Sequence, residues 1–572
     1  MNAEETKKRQ REERAKCLQV ILDSKAKKKL IVAGAGTGKT YTFGKLLQLR
    51  AGGTNLAMTF IRKLVAEMET SLGASAEVKT FHSYCKKILH AQNGQVELVP
   101  FLTKIVEKDA ELLERDLTEF DTKFRMLREN TPEISFHLQR GDYYDVVGFD
   151  DSVYRLYKLL QQNSDIVPAF DQIVIDEFQD FNPLEVAFIK ELEKKGDILI
   201  VGDDDQAVYD DRSASPSHLR EIYASPHYEK FELPFCSRCP QVIVAAANRI
   251  ISLAERSGQF TGRIPKQYEC FLDDKEADSL KHPKILVANC TTAKIIPKYV
   301  HREIAEIDPA DIADSHKEGK EYPTVLIVGT RQYLREIENY LRPLYPQLVY
   351  TPSSEIGYGI IEAFKCLLPN DKSNLGWRIL AELNFNQATL RQVIDGSQNG
   401  TAMCELLPSD FISKYTRVVD LIRFLKDKVV TLPVAEAELK SILGEAFDEV
   451  ITHFMPKEET EPPVVEKGKV SILLTSFKGC KGLSAGHVFI VGVHNGSMPK
   501  DKNSVRPVEP SQFVVALTRT RKQCHIVSND WLVAPKDKKR NWVPRFEKSP
   551  FVACLPKELV ENRGTLKAKD LK

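Results

Sequence analysis

The chain has 572 residues, of which 42% are apolar, 28% charged and 8% aromatic. Those globular proportions exclude collagen-like, mucin-like and wholly disordered chains, and at about 150 residues per domain the length predicts three or four domains. Lys and Arg total 81 against 80 Asp and Glu, so wholesale attraction to nucleic acid or an anionic membrane is absent, although a net charge of +1 leaves room for a local basic groove.

Residues 1–28 are charged and read as a solvated helix ending in the basic run KAKKK. This start has no apolar core of a secretory signal, and no stretch approaches the roughly 18 apolar residues that span a bilayer. Eleven Cys without framework spacing suit a reducing compartment. The expectation is a cytoplasmic protein with no membrane partner. One CxxC, Cys236 to Cys239, has the form of a redox pair or half a zinc site, but no second pair has matching spacing.

Short apolar runs follow: LIVAG (30–34), NLAMTF (55–60), QIVID (172–176), DILIVG (197–202), TVLIVG (324–329) and HVFIVGV (487–493). They are continuous rather than alternating, which predicts strands covered on both faces in parallel α/β sheets. They fall before residue 205 or after residue 320, which predicts two α/β domains. The segments between them carry apolar residues at helical spacing, and 456–468 (PKEETEPPVVEKG) reads as a linker. The predicted organisation is one α/β domain over 1–84 and 166–230 with a helical insertion at 85–165. A second spans 231–360 and 466–550 with a helical insertion at 361–465, and 551–572 is a tail.

Residues 33–40 read AGAGTGKT between a predicted strand and a predicted helix. This is a P-loop pattern, with Ala33 in the usual first Gly position. Gly34, Gly36 and Gly38 let the backbone of Ala35 and Thr37 curl so that successive N–H groups face one anion, and the helix N-terminus adds its positive end. Lys39 supplies a point charge for the β- and γ-phosphates and Thr40 a hydroxyl for Mg²⁺. At 176–177 an apolar run ends in Asp-Glu, a rigid place for two carboxylates. Asp176 is expected to hold Mg²⁺ and Glu177 to polarise the attacking water.

With DEFQD (176–180) in place, the chain resembles the UvrD/Rep family of superfamily 1 DNA helicases from about residue 17 to about residue 535. The resemblance is carried in order by TFIRK (59–63), TFHSYC (80–85), VGDDDQAVYDDR (201–212), LPFCSRCP (233–240), TSFKGCKGLSAGHVFIVG (475–492) and VALTRTRK (515–522). It implies two RecA-like domains, ATP with Mg²⁺ hydrolysed in the cleft between them, and 3′→5′ movement along single-stranded DNA. It implies Gln206 as γ-phosphate sensor and Arg238 and Arg519 as arginine fingers from the second domain. For DNA it implies Thr59, Phe60, Lys63, His82, Tyr209 and Arg212. Planar guanidinium groups suit the spread charge of a γ-phosphate transition state, and aromatic faces with cations suit a single strand.

Several positions depart from the family pattern. Asp211 stands where a base-stacking Trp is usual, and 203–211 hold five carboxylates in nine positions, which predicts repulsion of a phosphate chain. Ser237 replaces the aromatic that stacks on adenine, Ser484 the ribose-contacting Glu, and Phe477 a His. Gln10 and Gln19 are both candidates for the upstream base-reading glutamine. Phosphate-facing groups are thus retained while base- and ribose-gripping groups are eroded. Both insertions also look short, leaving room for a protein partner such as a loader or nuclease.

The expected function is an ATP-driven single-strand DNA translocase or helicase in repair, recombination or defence against foreign DNA. The alternative is an NTPase switch that controls a partner such as a nuclease. A P-loop kinase would leave the second α/β core and both arginine motifs unexplained.

Overall fold

Continuous apolar runs become buried strands. The computed structural model describes residues 3–50, 52–59, 65, 69, 75–94, 96–319, 321–351, 357–455, 469–533 and 545–571. Six strands form the first sheet: β1 (Lys28–Ala33), β2 (Asn55–Thr59), β3 (Glu77–Thr80), β4 (Phe170–Ile175), β5 (Gly196–Gly202) and β6 (Glu229–Leu233), in the order β3-β2-β4-β5-β1-β6. Seven form the second: β7 (Ile285–Thr292), β8 (Val325–Val328), β9 (Val349–Thr351), β10 (Ile472–Thr475), β11 (Ala485–Val491), β12 (Thr520–Trp531) and β13 (Val560–Leu566), in the order β9-β10-β8-β11-β12-β7-β13. Every pairing in both sheets is parallel. Helices cover both faces, as a sheet without a polar side requires. The fold is α/β, with two RecA-like parallel-sheet domains that each carry a mainly helical insertion.

Two strands lie across the boundaries read from the sequence. β6 spans position 230 and pairs with β1, so the first sheet runs on to Leu233. β13 lies within 551–572 and pairs with β7 at the edge of the second sheet. Its sequence VENRGTL buries only Leu566, so no apolar run marks it. The N-terminal helix Ala3–Asp23 is not merely solvated: Lys7 pairs with Glu276 at 2.6 Å, Arg9 with Glu269 at 3.1 Å, and Arg11 with Asp273. Arg14 also stacks over the Phe271 ring at 4.3 Å. Among the described residues no helix is long and apolar enough to cross a membrane.

The insertions share a single apolar core. Leu102, Ile105, Phe120 and Phe136 of the first pack in one cluster with Trp377, Leu380, Phe411, Val418 and Leu439 of the second. A buried polar knot lies in that core. Asp109 accepts from Arg140 Nε at 2.9 Å, from Tyr144 at 2.6 Å and from Arg378 Nε at 2.8 Å. Arg140 also donates to Ser397 at 2.9 Å. Charges this deep persist because each is hydrogen-bonded, and removing one partner would strand the others.

His137, buried in the first insertion, gives that region an acid-sensitive group. Burial lowers its pKa to about 4, against the upward pull of Asp121. An unfolded histidine titrates near 6.5. The unfolded chain therefore binds the extra proton first, so stability is full above about pH 6.5 and falls as pH drops towards 4. The linked loss is about 3 kcal/mol at most. Thermal unfolding is expected to show a midpoint falling between pH 6.5 and 4. In His137→Gln that fall should be smaller, and an unchanged fall would remove His137 as its cause.

Candidate nucleotide and strand sites

β1 ends at Ala33 and the helix Lys39–Leu49 begins six residues later. The turn between them needs glycine twice for its backbone: Gly36 has φ +70° and Gly38 has φ +92°. A Cβ on Gly36 would lie 2.5 Å from the Cβ of Arg238, whereas one on Gly38 would meet nothing within 4 Å. Gly36 thus permits close approach of the second domain, and Gly38 leaves the anion side of the loop open.

One cavity of about 280 Å³ is lined by Ala35, Gly36, Thr37, Gly38, Lys39 and Thr40 of the loop and by Asp176, Glu177 and Gln206 of the first domain. Ser237, Arg238, Gly482, Arg519 and Arg521 close it from the other side. Cys236 and Cys239, which flank Arg238, are buried in the core of the second domain with Val488, Ile490 and Phe513. Both thiols are free, and Cys236 Sγ accepts from the Cys239 amide at 3.4 Å and the Tyr268 hydroxyl at 3.4 Å. Ala33 and Gly34 lie just behind the cavity: Lys39 Nζ donates to the Ala33 carbonyl at 3.3 Å and Thr37 to that of Gly34 at 3.0 Å.

Asp176 and Glu177 follow β4, and Glu177 sits in the left-handed region at φ +56°. A non-glycine residue held there is strained, and here the strain aims its carboxylate between two lysines. Glu177 Oε1 is 3.9 Å from Lys39 Nζ, and Oε2 is 3.5 Å from Lys481 Nζ and 2.6 Å from Gln179 Nε2. Burial pushes the Glu177 carboxyl up, but Lys39, Lys481 and the Gln179 bond outweigh it and hold it well below the usual range. Asp176 moves the other way, to about 7, through burial and then the Glu177 charge. Of the pair, Glu177 is therefore the more readily ionised.

The second domain reaches the sensor position directly. Arg519 Nη2 donates to Gln206 Oε1 at 3.2 Å, and Gln206 Nε2 donates to Asp203 at 2.6 Å. Arg519 Nε bonds the Val515 carbonyl at 2.9 Å and Nη1 that of Leu483 at 3.2 Å. Burial and then the like charge of Arg238 pull Arg519 down to about 10. Two guanidiniums lining one cavity form a site matched to a polyanion.

The five carboxylates of 203–211 do not repel as the sequence predicts, because each has a cation. Lys266 Nζ, with its side chain only 2% exposed, lies 2.8, 2.6 and 2.9 Å from Asp203, Asp204 and Asp205. Arg263 holds Asp205 at 2.7 and 2.9 Å, and Arg220 holds Asp204 at 3.0 Å. Asp211 pairs with Lys478 at 2.7 Å and Asp210 with Arg506 at 3.6 Å, both partners coming from the second domain. Apart from Arg220, these partners lie far along the chain, where local charge counting does not reach.

Sequence reasoning missed Lys481 and Arg521. Lys481 is fully buried, bonds Asp180 and the Gln206 carbonyl (2.9 Å) and approaches Glu177. Its signal was the second Lys of KGCKG. Arg521, two residues after Arg519, donates to Ser484 at 2.9 Å and stacks over Tyr322 at 4.5 Å. Ser237 Oγ is buried without a hydrogen-bond partner at the cavity wall. Gln10 bonds the Cys270 carbonyl at 3.0 Å and the Leu272 amide at 3.0 Å, and Gln19 bonds Asp23, so neither lines this cavity.

The residues implied for DNA divide. Phe60 and Lys63 lie outside the described residues. Thr59 is buried at the end of β2. His82 and Arg212 line a second cavity of about 1040 Å³ with Lys79, Thr80, Ser83 and Arg125. Tyr209 packs instead on the core of the second domain, with Lys481 Nζ 5.8 Å from its ring.

The chain is similar to known proteins over most of its length. An AAA domain family matches residues 18–212. The chain is 23% identical to DNA helicase II of Haemophilus influenzae over 94% of its own length and 86% of that protein. It is 22% identical to the ATP-dependent DNA helicase Rep of Buchnera aphidicola, covering 86% of this chain and 91% of the relative. It is 23% identical to the ATP-dependent DNA helicase PcrA of Bacillus subtilis, covering 93% and 84%.

Proposed function

Because the chain is a UvrD/Rep-like superfamily 1 protein, we propose that it is an ATP-dependent DNA helicase of that type, whose two domains close on the triphosphate and step along a single strand. The observation that carries this is the single cavity lined by the P-loop, by Asp176 and Glu177, and by Arg238 and Arg519 of the opposite domain. Movement in the 3′→5′ direction rests on the family resemblance, as do roles in repair, recombination or defence and a protein partner.

Lys39 and the loop amides bind the β- and γ-phosphates. Glu177, ionised at neutral pH, orients the attacking water, and Gln179 fixes its carboxylate. Gln206 senses the γ-phosphate and passes its position to Arg519 through their shared bond. Arg238 and Arg519 meet the developing charge, so catalysis requires closure. The oxygen donors Thr40 and Asp176 line the same cavity, a hard set that fits Mg²⁺, and they would hold it. When bound, Mg²⁺ supplies charge neutralisation at the phosphates. On the strand side, His82 and Arg212, which line the second cavity, carry the backbone contacts, and buried Thr59 supports them from behind.

The position of the missing stacking Trp favours a second reading. Asp211 is tied to Lys478 rather than offered to a base, which suits a nucleotide switch that does not unwind. A single-strand-stimulated ATPase assay combined with strand displacement separates the two readings. The motor reading expects strong stimulation and a steep salt dependence. DNA-independent turnover without displacement supports the switch. In the same assay Glu177→Gln is expected to keep nucleotide binding and lose turnover. Loss of both together would reject its role at the water.

A further inference from the structure

Outside the nucleotide cavity, three segments bring ligand atoms to one point. His82 opens the helix Phe81–Asn93, Asp150 the helix Phe149–Gln162 at the end of the first insertion, and Glu185 the helix Pro183–Leu192 that follows DEFQD. One ligand atom from each lies within 4.8 Å of the others. Asp150 is 4% exposed and Glu185 1%.

Each carboxylate has one oxygen satisfied and one stranded. Asp150 Oδ2 accepts from Arg125 Nε at 2.9 Å, while Oδ1 is buried with no hydrogen-bond partner. Glu185 Oε2 accepts from the Asn182 amide at 2.9 Å to close a capping box, while Oε1 is likewise buried without a partner. A stranded buried carboxylate oxygen is costly, so two on one point call for an occupant. Arg125 and Arg212 line the adjoining cavity, and their charges act on both carboxyls.

We propose that His82, Asp150 and Glu185 form a binding site for a divalent first-row cation, with Mn²⁺ the best-suited probe. One imidazole with two carboxylates is a donor set for such ions rather than for Ca²⁺ or Mg²⁺, which favour oxygen alone. Ligand bonds of about 2.0–2.2 Å allow donor atoms up to about 4.3 Å apart, so a small side-chain rotation completes the set. The remaining coordination positions face the cavity of about 1040 Å³, where water or an anionic oxygen would fill them. The ion would pin the first insertion to the two helices beneath it and set the imidazole at the cavity wall. The rival occupant is a proton shared by the two carboxyls, since burial pushes Asp150 up and Glu185 to about 7.

The test uses the full chain, stripped with a chelator and titrated with Mn²⁺ alone, without nucleotide or DNA, with free Mn²⁺ read by electron paramagnetic resonance. It is therefore independent of the helicase reading. The expected result is one saturable Mn²⁺ per chain, at least ~10-fold weaker in Glu185→Gln and Asp150→Asn. Asp176→Asn, which removes a carboxylate donor of the nucleotide cavity, is expected to bind this Mn²⁺ as wild type, which excludes that cavity as the source. Mn²⁺ should also raise the melting midpoint of wild type and not of Glu185→Gln. No saturable binding to wild type would leave the shared proton as the occupant and overturn the proposal. Wild-type affinity in both variants would overturn it equally.

Discussion

Lys39→Ala is expected to abolish ATP hydrolysis. The Lys39 ammonium is the one P-loop cation on the cavity wall, placed between the Ala33 carbonyl and Glu177. On the proposed reading, its removal would take the counter-charge from the β- and γ-phosphates while the loop amides stay in place. It also withdraws the largest of the attractions that hold Glu177 ionised, leaving Lys481, the Gln179 bond and Arg519 to do so. Triphosphate affinity and turnover are both expected to fall, with turnover dropping below detection in a phosphate-release assay. Turnover like that of wild type would mean that nucleotide is hydrolysed elsewhere.

Arg519→Ala is expected to lower kcat by ~10³ or more with little change in nucleotide Kd, the size associated with an arginine finger. That is about 4 kcal/mol of transition-state stabilisation. Arg519 is 3% exposed and already held by the Val515 and Leu483 carbonyls, so little ordering remains to be done when the phosphate arrives. Alanine also strands those carbonyls and Gln206 Oε1, so Arg519→Lys is the needed companion. Lysine keeps the charge but not the planar fork, and kcat should fall between the two. A large loss of affinity with intact kcat would make Arg519 a binding group instead.

How far the sequence reached depends on whether each feature's cause is local. The P-loop was readable because its conformation, its charge and the start of its helix all lie within AGAGTGKT. The strands were readable where burial on both faces leaves an uninterrupted apolar run, as in LIVA at 30–33. β13 was not, since an edge strand needs only one partner, and VENRGTL stays polar while β7 supplies it. The acidic run misled for a related reason. Lys266, Arg263 and Arg220 neutralise it from later in the chain, and a one-dimensional reading sees five charges without their partners. Lys481 shows the same limit from the other side, since its importance comes from Asp180 and Glu177, some 300 residues earlier.

The apolar core common to both insertions has a practical meaning for anyone dissecting this chain. Phe120 and Leu102 are shielded by Trp377 and Phe411, which arrive from a different part of the polypeptide. Cutting away either insertion would bare the greasy side of the other, so single-domain fragments should precipitate. In the intact chain the same weld binds the two insertions into one body, so any rearrangement of the two sheets has to carry that body along or break its core.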